Sequence, residues 1–264
     1  MKESTSSPAR MLAILDLYTL DHPEWTVEEI ARTLGYPGST AYRYVRELTK
    51  VGLLAKMPGA TYVVGAKIIE LEMLVRHADP LSRLARPFLQ ELAKQTGCTA
   101  LLSNVYGKHL INVAYAEGME PIDLTYLRGT PLPWFRGAPG KAALAFMPAT
   151  QSRALFEQSC AGAFDDERWQ ALRRELKKIR AEGYCVSLGE LDESIVGFGA
   201  PLMPEGQVIG SISLTCTLQR SEMLSRQGIA EVLRQQAQAL EAVVRNRHAG
   251  DAPPSQVATE TEAG

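Results

Sequence analysis

The sequence predicts an α+β protein of two domains, and three observations lead to this prediction. The chain has 264 residues, and at roughly 150 residues per domain this length suggests about two domains. Residues 1–65 have the pattern of three helices and two short strands, whereas the following part alternates hairpin strands with amphipathic helices. Asp79-Pro80 separates the two patterns. The predicted division is 1–65 for the first domain, 66–79 for a linker helix, 80–248 for the second domain and 249–264 for a disordered tail.

The first domain is predicted from helix and turn signals. Apolar residues recur at helical spacing over 9–18. Thr26, followed three residues later by Glu29, is typical of a capping box that opens a second helix. A third helix is predicted over 39–51, and two short strands around a Pro-Gly turn lie within 53–64. This order of elements indicates a winged helix-turn-helix.

The third predicted helix separates apolar residues from basic ones. Ala41, Val45 and Leu48 fall on one side, and cations fall on the opposite stripe at about 100° per residue. Such cations suit guanine edges and phosphates, and a hydroxyl at the helix start suits a phosphate. A solvated basic face gives the same pattern, and residues 1–65 hold seven cations and seven anions, so only charge segregation favours DNA. The predicted DNA-binding residues are Ser39, Thr40, Tyr42, Arg43, Arg46, Lys50 and Lys56.

The second domain is predicted to be a sheet covered by helices. In its last strand apolar residues alternate with small polar ones, which indicates one apolar and one polar face. Predicted helices lie over 81–95, 140–146, 149–158, 165–182 and 222–246. Predicted strands lie over 99–105, 109–116, 122–128, 184–188, 195–202 and 208–217.

The stretch 133–141 has the character of a ligand site. Glycines and a proline open a helix there, so free backbone N–H groups can face an anion with help from the helix dipole, although Pro139 itself has no N–H. Trp134, Phe135 and Arg136 lie immediately upstream, and they suit the ring and the carboxylate of an organic acid. A plain capped helix with core aromatics gives the same pattern.

Longer motifs resemble a known family. The run VEEIARTLGYPGSTAYRYVRELTKVGLLAK, followed by TYVVGAKIIELEML, resembles the DNA-binding domain and linker helix of the IclR family of bacterial transcription regulators. The later runs ARPFLQELAKQTG, GAPGKAALAFM, ELKKIRAEGYCVS and FGAPLMPEGQVIGSISLT agree in order and spacing, so the resemblance covers about 9–246. It implies a homodimer or tetramer that binds a pseudo-palindromic double-stranded DNA operator. It also implies a GAF-like antiparallel sheet with helices that binds a small organic acid effector.

The resemblance implies an effector pocket as well. Where the family usually has His-Ala-Thr, this chain has 135–137, Phe-Arg-Gly, and Gly197 stands where some members have cysteine. The cationic segment 135–137 would form the entrance of the pocket, and Gly197 would leave the opposite side without a side chain. Together they predict a larger anionic effector, namely an aromatic carboxylate. Arg128 is a second candidate for the carboxylate, and a surface role fits it equally. The predicted effector-binding residues are Trp134, Phe135, Arg136, Ala138, Gly140, Ser187, Gly197, Ser213 and Thr215.

Composition points away from several other classes of protein. Lys and Arg total 28 against 30 Asp and Glu, a net charge of −2, which argues against a chain whose whole surface binds polyanions. No apolar run approaches the roughly 18 residues of a membrane span. The four cysteines form no CxxC pair, so neither a disulfide framework nor a zinc site is predicted. We expect a reduced cytoplasmic protein without a cofactor, a metal or a membrane partner.

The alternative functions are a small-acid-processing enzyme and a metabolite-binding module without specific DNA binding. For the enzyme, Cys98 and His109 would be nucleophile and base, with Asp123 or Glu117 as the orienting acid. A buried inert thiol is the competing interpretation of Cys98. Because the chain contains no GxSxG, HExxH, Walker or GxGxxG motif, the prediction is that it is not an enzyme.

Overall fold

The fold is taken from a computed structural model that describes residues 6–120, 122, 128–160 and 165–250. For 248–250 it describes the backbone without the side chains. The chain divides into two compact units, Met1–Asp79 and Pro80–Gly264, and each is treated by itself. Of the helices that the structure describes, none combines the length and the apolar character that a membrane span requires.

The N-terminal unit combines short helices with a small antiparallel sheet. Its elements are α1 (Ser7–Leu12), β1 (Trp25–Thr26), α2 (Val27–Leu34), α3 (Gly38–Lys50), β2 (Leu54–Lys56), β3 (Thr61–Val64) and α4 (Lys67–Ala78). The strands pair in the order β1-β3-β2. The predicted capping box is present, because the Glu29 N–H donates to Thr26 Oγ1 at 3.2 Å and the Thr26 N–H donates to Glu29 Oε2 at 2.8 Å. Gly35 then ends α2 with a φ of 66°.

The apolar side of α3 forms the core of this unit, as its spacing predicts. The buried core residues are Ile14, Ile30, Ala41, Tyr44, Val45, Leu48, Leu54 and Tyr62. Since these contacts use one side of α3, the opposite side is not needed for folding.

Three predictions for this unit are wrong in detail. The helix predicted over 9–18 ends at Leu12, and a separate 3-10 turn over Leu15–Leu17 follows, with Ile14 fully buried between them. The structure also contains the unpredicted strand β1, because the extended backbone of the capping residue Thr26 matches that of a strand and pairs with β3. Helix α3 begins one residue earlier than predicted, at Gly38.

The C-terminal unit is built on a six-stranded antiparallel sheet of order β6-β5-β4-β9-β8-β7. Its strands are β4 (Thr99–Tyr106), β5 (His109–Ala116), β6 (Pro131–Leu132), β7 (Cys185–Leu188), β8 (Ile195–Leu202) and β9 (Gly210–Thr217). Its helices are α5 (Pro80–Thr96), α6 (Ala138–Phe146), α7 (Ala149–Ser159), α8 (Asp166–Glu182), α9 (Leu218–Glu222) and α10 (Arg226–Gly250). The predicted α+β architecture is confirmed.

The two faces of this sheet carry different residues, which also confirms the period of two predicted for the last strand. Leu214 and Cys216 of β9 belong to the apolar cluster formed with α5 and α10. Ser213 and Thr215 alternate with them on the other face. Helix α6 lies close against that second face, since a Cβ on Gly199 of β8 would be only 2.6 Å from the Ala138 carbonyl oxygen.

Some predicted boundaries in this unit are wrong. The helix predicted over 222–246 is α10, which begins later, at Arg226, because Ser225 caps it and its Oγ accepts from the Gly228 N–H at 3.2 Å. The short helix α9, over Leu218–Glu222, was not predicted. Helix α10 reaches Gly250, so it includes the first two residues of the predicted tail, and 251–264 lie outside the described residues.

The segment before α6 also departs from its prediction. The strand predicted over 122–128 falls mostly outside the described residues, and its two described ends are not in a strand. No strand was predicted over 131–132, but the chain there forms β6, because the edge of β5 offers a partner and Leu132 pairs with Leu110.

Candidate functional site

The basic side of α3 is open to solvent. Among the predicted DNA-binding residues, Thr40 is half-buried and the exposed ones are Ser39, Tyr42, Arg43, Arg46, Lys50 and Lys56. Lys56 ends β2 and pairs with Tyr62 of β3, at the wing turn. The unit therefore presents a stripe of cationic and hydroxyl groups without fully burying any of them.

Contacts behind this stripe fix the orientation of α3. The hydroxyls of Ser7 and Tyr44 are hydrogen-bonded at 2.8 Å, which joins α1 to the buried side of α3. The Arg43 guanidinium carbon lies 5.4 Å from the Tyr44 ring centroid. Arg46 Nη2 pairs with Glu47 Oε1 at 3.2 Å, and such an exposed ion pair contributes little, so Arg46 can exchange it for a phosphate or a base.

No side chain among the described residues caps the start of α3. Its N-cap residue, Pro37, makes no side-chain hydrogen bond to the helix. A Cβ on Gly38 would meet open space. The first-turn N–H groups thus lack a side-chain acceptor at the positive end of the helix dipole, next to Ser39 and Thr40. This arrangement suits a phosphate oxygen.

The start of α6 differs, because the chain supplies its own anion there. The Gly137 N–H donates to Glu190 Oε2 at 2.9 Å, and the Ala138 N–H donates to Ser187 Oγ at 3.0 Å. The exposed Arg136 guanidinium donates to the backbone carbonyl of Glu190. The groups that were predicted to receive an effector carboxylate are therefore engaged with β7 and the segment after it.

An ion cluster with a buried lysine at its centre lies next to this helix start. The Lys141 ammonium is 2.5 Å from Glu175 Oε1 and 2.5 Å from Glu190 Oε1, and the lysine side chain is 4% exposed. Burial favours the neutral lysine, but the hydrogen bonds to the two carboxylates outweigh it and raise the pKa of Lys141. Sequence reasoning missed both acids. The only signal was a single lysine in the otherwise apolar run APGKAALAF.

Five predicted effector residues share one place on the polar face of the sheet. A Cβ on Gly197 would lie 2.9 Å from Ser187 Oγ and 3.3 Å from Ala138 Cβ, so these residues are in contact. Thr215 pairs with Gly197, and Ser213 lies two residues back on the same face of β9. We call this group the polar patch, formed by Ala138, Ser187, Gly197, Ser213 and Thr215.

Two hydroxyls on this face of β9 lack a hydrogen-bond partner in the described part of the chain. Ser211 Oγ and Ser213 Oγ are both buried and unpaired. By contrast, the Ser103 hydroxyl on β4 donates to Asn112 Oδ1 at 2.7 Å. A buried unpaired hydroxyl costs about 1–3 kcal/mol, and in native proteins such groups commonly bind water or a ligand. Ser211 was not predicted, although the alternation along β9 places it beside Ser213.

The remaining predicted effector residues lie outside the polar patch. Trp134 is a core residue, and its indole N–H donates to the Lys108 carbonyl oxygen at 2.8 Å. Phe135 packs edge-on against Phe156 at 5.5 Å between ring centroids. The core-aromatic alternative is therefore the observed one. Arg128 is half-buried in the turn before β6 and already takes part in an interaction.

Gly140 and Gly197, the two glycines among the predicted effector-binding residues, allow close packing and do not enlarge the predicted pocket. A Cβ on Gly140 would lie 2.2 Å from the Pro133 carbonyl oxygen. The space beside Gly197 is filled by Ser187 and Ala138. The missing side chain at Gly197 therefore leaves no extra space there and gives no support to the prediction of a larger effector.

The catalytic pairing considered from the sequence is not formed. Cys98 precedes β4, whereas His109 pairs with Tyr106 at the far end of that strand. At about 3.3 Å per residue, roughly 26 Å of strand separate them. Glu117 directly follows β5, and Asp123 lies outside the described residues. Across the described ranges no three His, Cys, Asp or Glu side chains are grouped to hold a metal ion.

Two family models match the chain. The model of the IclR helix-turn-helix domain matches 7–58, and the model of the bacterial transcriptional regulator IclR C-terminal domain matches 73–242, more than half of the chain. This chain belongs to the IclR family. It is thus a transcriptional regulator with a helix-turn-helix DNA-binding domain and a C-terminal effector-binding domain, and the resemblance of its motifs to that family is confirmed.

Relatives and solved structures agree with this membership of the IclR family. The HTH-type transcriptional regulator KipR of Bacillus subtilis is 26% identical over 220 residues, which cover 81% of this chain and 87% of that protein. An IclR family regulator from Brucella abortus has a similar fold, with a TM-score of 0.78, 20% identity, and coverage of 92% of this chain and 94% of that one. An IclR homolog from Microbacterium hydrocarbonoxydans, complexed with 4-hydroxybenzoate, gives a TM-score of 0.71 at 23% identity, covering 91% of this chain and all of that one.

Proposed function

We propose that this IclR-family regulator acts in the cytoplasm and recognises a specific double-stranded operator through α3 and the wing. The observation that carries the proposal is the division of α3 into a buried apolar side and an exposed basic side. Contacts to base edges specify a sequence, whereas contacts to phosphates position the protein. We assign base contacts to Arg43 and Arg46, with Tyr42 beside them. The proposed phosphate contacts are Ser39, Thr40, Lys50 and Lys56.

Fluorescence anisotropy on the DNA upstream of the gene, compared with a scrambled duplex at physiological salt, tests this proposal. Arg43→Ala and Arg46→Ala are each expected to weaken operator binding by about 1–3 kcal/mol. Lys178→Ala, at an exposed cation of α8, is the control that should leave affinity unchanged. Wild-type affinity in both arginine variants would contradict the assignment of α3, and equal binding to both duplexes would contradict specific recognition.

We further propose that the polar patch binds a small organic acid, with an aromatic carboxylate as the chemical class. The buried, unpaired hydroxyl of Ser213 supports an oxygen-bearing ligand there, as does the half-buried Thr215 beside it. The aromatic class draws support from the 4-hydroxybenzoate held by the Microbacterium homolog, which shares this fold.

Calorimetric titration with benzoate, 4-hydroxybenzoate and glyoxylate tests the effector proposal, together with their effect on operator binding. Ser213→Leu is expected to abolish the response to effector and to leave DNA binding intact. Ser213→Ala, which removes only the hydroxyl, is the milder variant. An unchanged dose curve in both would reject the polar patch. A response to glyoxylate alone would keep the patch and reject the aromatic class.

We also propose that α4 joins two copies of the chain into a homodimer, from which a tetramer can be built. No residue of α4 is buried, and its exposed apolar residues are Ile68, Ile69, Leu71, Met73, Leu74 and Val75. A contiguous apolar surface of this kind usually marks an interface. Light scattering of the full chain measures the oligomer, and a monomer at micromolar concentration would contradict the proposal.

A further inference from the structure

Two buried thiols face each other across strands β4 and β9. Thr99 pairs with Thr215, so Cys98, one residue before, lies opposite Cys216, one residue after. Both side chains belong to the apolar cluster under α5 and α10, away from the polar patch, and both are free thiols. Side chains directly opposite each other have Cβ atoms about 4.5–5.5 Å apart, and a disulfide needs about 3.5–4.5 Å. A small movement therefore brings the two sulfurs within bonding distance.

A cation lies beside this pair. Arg220 Nη2 donates to the Thr96 carbonyl oxygen at 3.1 Å. A Cβ on Gly97 would lie 2.3 Å from the same nitrogen, so the guanidinium lies against the turn that leads into Cys98. Arg220 Nε is buried and has no hydrogen-bond partner among the residues described. A thiolate on Cys98 would give this unsatisfied group a negatively charged neighbour.

The surroundings divide the two thiols into unequal roles. Hydrogen bonding with Cys216 lowers the pKa of Cys98 against the opposing effect of burial, and Thr96 and the charge of Arg220 add to this, so that the pKa is about 7. The same contact and burial raise the pKa of Cys216. Cys185, which is buried without such a partner, has its pKa raised to about 12. Cys98 thus has the properties of an attacking thiol and Cys216 those of a resolving thiol.

We propose that Cys98 and Cys216 form a dithiol that a peroxide oxidises reversibly to a disulfide. The Cys98 thiolate attacks one oxygen of hydrogen peroxide, the O–O bond breaks, and the departing hydroxide takes up a proton to become water. The Cys216 sulfur then attacks the Cys98 sulfenic acid, an S–S bond replaces the S–O bond, and a second water leaves with the Cys216 proton. Two thiols and one peroxide become one disulfide and two waters, so the two electrons lost by sulfur reduce the peroxide.

The burial of the pair selects the size of the oxidant. With exposed fractions of 1% for Cys98 and 2% for Cys216, the site admits a water-sized peroxide more readily than a bulky disulfide such as oxidised glutathione. The resulting bond would tie β4 to β9 next to Thr99 and Thr215, at one end of the strand pair.

Mass spectrometry of the wild-type full chain tests the proposal directly. The reduced protein is treated with hydrogen peroxide, free thiols are blocked, and the chain is cut with trypsin and a glutamyl protease. These cuts place Cys98 in peptide 95–108 and Cys216 in peptide 206–220, with Cys160 and Cys185 in other peptides. The expected product is 95–108 joined to 206–220, and dithiothreitol should release it. Both peptides remaining reduced while Cys160 is oxidised would overturn the proposal, as would oxidation of Cys98 to a sulfinic acid with Cys216 still free.

Two variants separate chemistry from structure. In Cys216→Ser the sulfenic acid on Cys98 should persist and react with dimedone when the protein is unfolded in the presence of that reagent, without any cross-linked peptide. Arg220→Gln should slow formation of the disulfide about fivefold at neutral pH, because less Cys98 is ionised. Arg226→Gln, at an exposed arginine of α10, should leave the rate unchanged. Equal rates for Arg220→Gln and wild type would remove Arg220 from the proposed site.

Discussion

The starts of α3 and α6 have similar sequences, but they differ in whether side chains of the protein accept hydrogen bonds from their backbone N–H groups. Proline and glycine open both helices, and each was predicted to offer backbone N–H groups to an anion. In α3 no side chain within the described ranges caps the first turn. In α6 the first two N–H groups donate to Glu190 and Ser187. The pattern of residues thus predicts the capacity of a helix start to bind an anion, but it does not predict whether the chain itself provides that anion.

Burial explains the difference. The N–H groups of an exposed helix start can form hydrogen bonds with water. The start of α3 therefore loses little free energy when no phosphate is bound. Gly137 and Ala138 are buried, and an unpaired buried N–H costs about 1–3 kcal/mol. Acceptors from the segment after α8 therefore complete the start of α6, and any effector anion that uses it has to exchange with them.

The largest effect we predict concerns Lys141, which has no counterpart at α3. Lys141→Met keeps the length of the side chain but removes the charge between Glu175 and Glu190. The free energy of unfolding of the C-terminal unit should fall by about 2–3 kcal/mol, because Glu175 and Glu190, which are 44% and 29% exposed, lose their shared cation and repel each other. Urea denaturation of the full chain, followed by the fluorescence of its tryptophans, measures this change.

Lys178→Met is the control for that measurement. Lys178 is 75% exposed and pairs with Glu182 at 3.8 Å, so its loss should change the free energy of unfolding by less than about 1 kcal/mol. Equal effects of the two substitutions would mean that the Lys141 cluster is no more than a surface network.

An intermediate effect is expected from adding one methyl group to each helix start. Gly140→Ala places a Cβ 2.2 Å from the backbone oxygen of Pro133, and such overpacking should destabilise the C-terminal unit by about 2 kcal/mol. Gly38→Ala meets open space and needs no positive φ, so it should stabilise the N-terminal unit by about 0.5 kcal/mol. Thermal unfolding compares the two. A stabilising Gly140→Ala would contradict the tight packing of α6 on the preceding loop.

The same contrast shows what sequence can predict for this protein. Periodicity placed Ala41 and Val45 inside and Arg43 outside correctly, because neighbours along one helix decide its faces. Alternation likewise identified the polar face of β9. The partner of Lys141 could not be predicted in this way, since Glu190 is 49 residues away in the chain and meets it only through the packing of α6 beside β7. The core position of Trp134 could not be predicted for a related reason, because a core aromatic and a ligand-facing aromatic have the same local sequence.

A smaller effect than that of Gly140→Ala gives the sharpest test of the comparison, since the substitution makes the start of α6 resemble that of α3. Glu190→Gln removes the internal carboxylate but keeps a hydrogen-bond acceptor for Gly137. If an effector carboxylate exchanges with Glu190, affinity for benzoate should rise about tenfold, which corresponds to about 1.4 kcal/mol. Glu193→Gln, at an exposed acid in the same segment, should leave the calorimetric affinity unchanged. Unaltered or weaker binding of benzoate by Glu190→Gln would mean that the effector anion does not displace Glu190. The start of α6 would then be capped permanently by the protein itself, and the hydroxyls of β9 alone would bind the ligand.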